Sequence, residues 1–456
     1  MRQSKGFWYK TICLFSGFCS LFSCQKNGVE KTSRLKPEKV IASSFVDPGG
    51  QLKRIESLHF SSDTVYLLTE NLTRESGEQL IVDPGTIIKS NPGVGIAINS
   101  GGRIELNGTI DRPVVFTSNL PPGSKNNYWR GISITGKSVG AQQPNGDPND
   151  NSGILKFARI EFGGLQLNSV GASTILDHVQ SSYTNFSSGF EFNGGTVEGK
   201  YLVSYACNSS ADFYIGNGYS GKLQFLLAYR HPFFGVSNSY PFNCISGLFI
   251  ESGPVNPFYT PSNLPTISNL SVIGPAGRDG TSSIYYDSSN SVHAAAMVTG
   301  NNAGFKIRNS VFLGYPVNGW KITDSFTARK VHYLESEFTH SMMYCADTSR
   351  AFYIRPRLYR KYDFRDFKEY MLETRFNNRL IYSINNFGFK NLFSYEVNGP
   401  IPAERSIMLE SAAFDGADYS VPFFDKVPFV GAVGANNWLE RWTNFNPLKT
   451  RYNLPE

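Results

Sequence analysis

From Val65 onward, short β-rich runs alternate with Gly, Asn, Pro and Ser: Tyr66–Leu68, Leu80–Val82, Thr86–Ile88, Gly95–Ile98, Arg103–Leu106, Val114–Phe116 and Gly131–Ile134. Runs this short, bounded by turn residues and without helical periodicity, predict many strands and little helix. A sandwich, a propeller and a solenoid would all carry such a pattern, and spacing separates them. Phe157–Phe162, Leu176–Gln180, Lys200–Ser204 and Lys222–Leu226 recur with a nearly constant interval, punctuated by Gly-Gly pairs at 101–102, 163–164 and 194–195. A period of roughly 20 to 25 residues fits one turn of a parallel β-helix, whose coils stack at about 4.8 Å and cannot bury an inner face alone. Ser268–Gly274 and Arg308–Gly314 each carry an Asn, an apolar run and a terminal Gly, and are expected about two coils apart. Asn and Gly suit a coil corner because they accept positive φ at low cost. Tyr362–Asn378 departs from the rhythm: Phe364, Phe367, Tyr370, Met371 and Phe376 fall near one face, predicting a helix over 363–377 on the flank or end. The expected organisation is an all-β parallel β-helix over 47–345, then final coils, the helix and a C-terminal cap over 346–456 that shields the last edge.

The N-terminus reads as an address. Arg2, Lys5 and Lys10 precede the apolar stretch Thr11–Ser23, too short to span a bilayer, which predicts a signal peptide over 1–23. It ends in Leu21-Phe22-Ser23-Cys24, which resembles a bacterial lipobox with Cys24 as the lipidated, diacylglycerol- and palmitate-bearing residue, although Phe22 is unusual there. Cys13 and Cys19 fit worse, because Ile12 and Phe18 stand where the peptidase needs a small side chain. An ordinary secretory signal with an incidental Cys is the other reading. By analogy with bacterial lipoproteins, Gln25 after the acylated Cys favours the outer membrane, and the polar segment 24–46 reads as a tether.

Composition sharpens the picture. With 40% hydrophobic residues the chain is not disordered, and its 14% aromatic and 18% charged residues lean towards β structure. Removing residues 1–23 takes Lys+Arg from 43 to 40 against 37 acids, so the net charge falls from +6 to +3, which is no nucleic-acid footprint. The thiols left beside Cys24 are Cys207, Cys244 and Cys345, an odd set in which one disulfide is possible and no pairing is specified. There is no CxxC or zinc-type Cys/His spacing.

Several long stretches carry a family likeness: TVYLLTENLTRESGEQLIVDPGTIIKSNPGVGIAINSGGRIELNG (64–108), RPVVFTSN, YWRGISITG, GGTVEGKYLVSYACNSSADFYIGNGYSGKLQF (194–225), RNSVFLGYP (308–316) and FFDKVPFVGAVGANNWLERWTNFNP (423–447). Together they resemble a Bacteroidetes family of exported, right-handed parallel β-helix lipoproteins, pectate-lyase-like solenoids of undefined activity. The resemblance implies fold and export rather than chemistry. It also shows a departure. Where the family commonly has consecutive acidic residues, this chain has Asn208-Ser-Ser-Ala-Asp212. A calcium ion wants six to eight oxygens including several carboxylates, so the expectation is no metal and no cofactor, with Asp212 (beside Asn208 and Asn217) as a weak site at most. The plainer reading of Asp212 is a corner residue accepting backbone hydrogen bonds.

Polysaccharide lyases and hydrolases on β-helices need paired carboxylates, or a cation with a basic residue. The candidates are Arg159 and Glu161, Asp177 and His178, Glu191 and Glu198, expected on outer strand faces near mid-solenoid. Alternation places Arg159 and Glu161 on one face and Asp177 and His178 on opposite ones. The bland alternative is a ladder of solvated, charge-paired residues. The segment 229–242 gathers Tyr229, Phe233, Phe234 and Tyr240 around two prolines, a possible platform for sugar rings or a self-packed loop. Trp129, Trp320, Trp438 and Trp442 are expected as packing anchors. No phosphate-binding glycine loop, HExxH or Ser-His-Asp arrangement is present, which disfavours nucleotides, catalytic zinc and nucleic acid. The function expected is a non-catalytic, lipid-anchored protein of the outer membrane that binds a glycan or an envelope protein. The alternative is a polysaccharide lyase or glycoside hydrolase acting on the outer face, and a purely structural envelope component is a third.

Overall fold

The structure, a computed structural model, describes residues 36–452 except 42–43, 47–51, 122–123, 125–126, 142, 186, 232–244, 254–257, 259–260, 276–292, 316, 355–365, 391 and 394–398. The signal peptide, Cys24, Phe233, Phe234, Tyr240 and Cys244 therefore lie outside the described residues. Among those described, the strands form two long parallel sheets, of 17 and 10 strands, and one antiparallel hairpin pairing Ser44–Val46 with Leu52–Arg54. Each regular coil feeds both sheets: Ile175–Ser182 belongs to the longer one and Phe190–Gly195 to the shorter, then Glu198–Tyr205 and Ala211–Gly216 repeat the cycle. This is the expected all-β parallel β-helix.

Register follows the apolar pattern. Ala158, Val179, Leu202 and Leu226 are lateral neighbours on successive coils, at steps of 21, 23 and 24 residues. In the shorter sheet Phe190 and Phe192 point inward and are buried, while Glu191 and Asn193 point outward. Phe190 stacks on Phe213 of the next coil at 5.2 Å. The interior is thus a set of like-on-like columns, each coil burying its neighbour's apolar face. Loops lengthen some coils: Asn269 and Asn309 prove to be on adjacent coils, not two apart, because 40 residues separate these lateral neighbours.

At one corner the backbone is left-handed on eight successive coils, at Phe157, His178, Tyr201, Phe225, Asn269, Asn309, His340 and Asn377. Asn269, Asn309 and Asn377 match the chemistry such a corner favours. The aromatic members do not, and they compensate by stacking: ring centroids lie 4.3 Å apart for Phe157–His178, 4.3 Å for His178–Tyr201 and 4.8 Å for Tyr201–Phe225.

After residue 405 the chain runs back along this corner as a strap, rather than simply closing the last coil. Asn309 donates to the Ala413 carbonyl at 2.9 Å, Asn269 to Phe429 at 2.7 Å, Gln224 to Asp425 at 2.8 Å and Gln180 to Asn444 at 2.9 Å. Trp442 is buried edge-on to His178, at 5.4 Å. The predicted helix over 363–377 is shorter: Asp366 caps a helix at Phe367–Met371, a single 3-10 turn follows at Thr374–Phe376, and 361–365 lie outside the described residues. A second helix, Ser325–His332, was not predicted. It is capped by Asp324 and buries only Thr327, Ala328 and Val331, too few positions for a periodic signal. No helix among the described residues is long and apolar enough to cross a membrane. Cys207 and Cys345 are buried free thiols, and burial pushes the first up to about 12 and the second to about 11.

Candidate functional site

Two outward surfaces carry polar side chains, and the strap closes one of them. Arg159 and Glu161 do share a face, with Nε and Oε1 3.9 Å apart, but Glu161 is fully buried rather than open to a polymer. Its Oε1 accepts from Asn444 Nδ2 at 2.9 Å and from the Tyr452 hydroxyl, both on the strap. Asp177 and His178 do not point to opposite faces. The left-handed backbone at His178 breaks the alternation and brings its Nδ1 within 3.0 Å of Asp177 Oδ1. Glu198 pairs with Lys222 at 2.5 Å. Charge pairing along the flank, not a carboxylate couple, is what these residues build.

Asp212 is fully buried in an ion pair. Arg230 Nε donates to its Oδ2 at 2.7 Å and the Ser204 hydroxyl to its Oδ1 at 2.8 Å. The other guanidinium nitrogens hold the carbonyls of Cys207, Ser209 and Ser246 at 2.6, 3.1 and 3.2 Å. A guanidinium thus stands where a cation would have to bind, and side-chain and guanidinium donors replace the backbone donors expected at this corner. Asn208 and Asn217 are engaged with Asn185 and Asn193, at 2.7 and 3.1 Å. Tyr229 is no exposed platform either: it is buried, and its hydroxyl donates to the Leu392 carbonyl at 2.6 Å.

The open surface is the outer face of the shorter sheet. Thr73, Ala97, Ser133, Gln166, Glu191, Tyr214 and Phe249 stand in one lateral column, flanked in their strands by inward apolar residues except at Thr73, whose neighbours are Leu72 and the buried Arg74. At its small-residue end lies a cleft of about 450 Å³, lined by Asn71, Thr73, Ala97, Arg130, Ser133 and Gln166 among others. Gly131 keeps the floor low: its φ is +80°, and a Cβ there would sit 2.1 Å from the Gly164 carbonyl oxygen. Arg130 is steadied by its Nε donating to the Gly93 carbonyl at 2.9 Å, and Asn71 Oδ1 accepts the Gly95 N–H at 2.9 Å.

Side-chain relays orient the lining. Asn217 donates to Asn193 at 3.1 Å, Asn193 to Asn168 at 3.2 Å and Asn168 to the Ser133 oxygen at 3.3 Å, which leaves the Ser133 proton for the cleft. Gln166 Nε2 donates to Glu191 Oε2 at 3.1 Å, and the Ser188 N–H to Oε1 at 2.9 Å. Further along, Tyr214 and Asn301 donate to the two oxygens of Glu251, at 2.8 and 2.5 Å. Desolvation raises the carboxyls of Glu191 and Glu251 above the ordinary range, opposed by these hydrogen bonds. Among the described residues no group of three or more His, Cys, Asp or Glu converges on one point.

Glu191 is the one candidate catalytic residue of the sequence reading that lies on this face. Arg130, Ser133, Gln166, Tyr214 and Glu251 were missed, yet their signal exists. Ile132-Ser133-Ile134, Leu165-Gln166-Leu167, Phe190-Glu191-Phe192 and Phe213-Tyr214-Ile215 are the same apolar–X–apolar triplet, and aligning them yields the column.

A family model described as a pectate-lyase like beta helix domain matches residues 50–345. The chain belongs to the pectate-lyase-like β-helix family. No curated protein matches the chain, and no solved structure does. The matched region of this β-helix contains the whole outward column from Thr73 to Phe249, and the strap beyond residue 405 falls outside it.

Proposed function

We propose that this β-helix is a non-catalytic, lipid-anchored protein of the outer membrane that binds a glycan along the outer face of its shorter sheet. The observation that carries the reading is the cleft lined by Asn71, Thr73, Arg130, Ser133 and Gln166, a small concave surface in which oriented donors and acceptors alternate with a comparable share of apolar surface from residues such as Ile96 and Ala97. A stable protein partner would ask for a broad patch of about 1,000 Å² or more with an apolar centre. A glycan asks for hydrogen bonds at regular intervals, and coils spaced by about 4.8 Å repeat equivalent positions along the axis. Anchoring rests on Cys24 at the end of its apolar segment, and the outer-membrane address on Gln25. No nucleotide, nucleic acid or cofactor enters the reading.

The alternative, a polysaccharide lyase or glycoside hydrolase, draws on Glu191 and Glu251, whose carboxyls burial holds above the ordinary range. Each is engaged at both oxygens by neighbours within the fold, which favours cross-coil stitching over acid–base work. A glycan array on the mature protein, with parallel assays for new reducing ends and unsaturated products, separates the two. Binding without turnover is the expected result, and turnover of any polymer would overturn the non-catalytic reading. Cys24→Ala is expected to move the protein from the membrane fraction to the soluble one.

A further inference from the structure

We propose that the protonation state of Glu191 decides which face of the Gln166 amide the cleft presents to its ligand. The proposal rests on the reading of that cleft as the glycan site and adds its regulation. An ionised carboxylate only accepts hydrogen bonds. Glu191 therefore takes the Ser188 N–H on Oε1 and the Gln166 amide on Oε2, at 2.9 and 3.1 Å. With Nε2 so engaged, Gln166, which lines the cleft, offers its carbonyl Oε1 there as an acceptor.

Adding one proton from solvent reverses this pattern. The backbone N–H of Ser188 can only donate, so Oε1 remains an acceptor and the proton belongs on Oε2. The new O–H then needs an acceptor, and the group already bonded to Oε2 is the Gln166 amide, at 3.1 Å, which supplies one by a half-turn about its last torsion, while the Ser188 and Asn193 side chains also bond the carboxyl. That turn keeps the shape of the side chain and sends Nε2 into the cleft. An acceptor becomes a donor, with no bond made or broken beyond the proton transfer. Ser133 is oriented by a different set of bonds, the Asn217–Asn193–Asn168 relay, which has no titratable member and meets Glu191 through the Asn193 side chain.

The groups facing Glu191 do not compete for its proton. They are Gln166 on the preceding coil, Ser188 in the turn, Asn193 on its own strand and Tyr214 on the following coil. The Tyr214 hydroxyl is committed to Glu251, and Arg130, the cation of the cleft, is anchored to Gly93. Burial, which raises the Glu191 carboxyl, places the change above the ordinary carboxylate range. A ligand group that only accepts hydrogen bonds, such as a uronate carboxylate, gains a partner at Gln166 when Glu191 is protonated.

The test uses the full mature chain in detergent with ¹⁵N-labelled glutamine, the Gln166 signal being assigned by its loss in Gln166→Ala. Between about pH 8 and about pH 4 the Gln166 side-chain amide is expected to shift in a single step. The amide of Gln180, locked at both ends by Asn444, should stay still. Glu191→Gln should hold Gln166 in the acid-form position throughout, because a glutamine there can accept from Ser188 and donate to Gln166. A Gln166 signal that does not move, or that moves equally in Glu191→Gln, overturns the proposal. In a second arm, alginate oligosaccharides are expected to bind about three- to tenfold tighter at the acid end than their carboxyl-reduced counterparts gain, and the difference should vanish in Glu191→Gln. A wild-type protein whose alginate affinity tracks that of the reduced polymer would also overturn it. If glycans bind while Gln166 does not titrate, the switch falls and the glycan reading stands. If Gln166 titrates while neither the array nor these probes bind, the glycan reading falls, and with it the role of the switch in recognition.

Discussion

Arg230 and Asp212 show how much one residue can carry when it has no access to water. Both are fully buried, and the guanidinium closes the turn through three carbonyls as well as the carboxylate. Removing one partner leaves an uncompensated charge in the interior. Arg230→Met is expected to cost about 3–5 kcal/mol of unfolding free energy, and the Asp212→Asn, Arg230→Met double variant less than the sum of the two singles. Denaturant unfolding of the four proteins of the cycle checks this. The sequence does not announce the pair, because 18 residues separate its members and only the path of the intervening strand brings them together. Glu251 permits a test of a different kind. Burial raises its folded-state carboxyl pKa, so the folded state holds a proton more tightly than the unfolded one. Its contribution to stability is complete below the ordinary carboxylate range and is lost as the pH rises through the raised folded value. In Glu251→Gln a glutamine can donate to the Tyr214 oxygen and accept from Asn301. The Tm of that variant is therefore expected to fall less than wild type as pH rises through that window, and an unchanged profile would contradict the assignment.

At the scale of the element, the left-handed corner explains what the sequence shows and what it conceals. Coil length and the inward apolar residues are legible because strand alternation and a stacked interior demand them at every level. Asn269 and Asn309 are legible too, since Asn is the residue that a corner with positive φ selects. Phe157, His178, Tyr201 and Phe225 occupy the same position without its usual chemistry, and no local rule marks them. Their backbone is imposed by the pairing on either side, and its cost is offset by rings stacked along the axis. The same reset of alternation is why Asp177 and His178 cannot be assigned to faces by counting. Substitutions at Tyr201 separate the two terms. Tyr201→Val loses the stacking and adds a β-branched side chain at positive φ, so it should destabilise most, by about 2–4 kcal/mol. Tyr201→Asn loses the rings but suits the backbone, and should cost about 1–2 kcal/mol less. Unfolding midpoints in the order wild type, Asn, Ala, Val would support this account, and equal losses for Asn and Val would contradict it.

The whole molecule differs from a simple stack of coils because its last segment binds many of them at once. In a plain solenoid each coil touches only its neighbours, so ends can fray while the middle stays folded. Here the strap reaches Asn309, Asn269, Gln224, Gln180 and Glu161, which belong to different coils. It covers the aromatic corner and buries Trp442 against His178. Its partners lie as far as 291 and 330 residues away in sequence, at Glu161 for Tyr452 and at Asp111 for Arg441, beyond any periodic signal, which is why an end cap is the natural reading of the sequence and a lengthwise strap is not. The strap should therefore couple coils that would otherwise open separately. Trp442→Ala is expected to cost about 3–5 kcal/mol. Deleting residues 406–452 should do something different in kind: replace one cooperative unfolding transition by a broader one with a shallower denaturant dependence, and expose the rings of His178, Tyr201 and Phe225 to a hydrophobic dye. The two surfaces are separate, so the cleft between Thr73 and Gln166 should keep its glycan binding at temperatures where the shortened chain remains folded. Loss of binding at such temperatures would mean that the strap supports the cleft, and an unchanged, sharp transition would mean that the coils are already coupled without it.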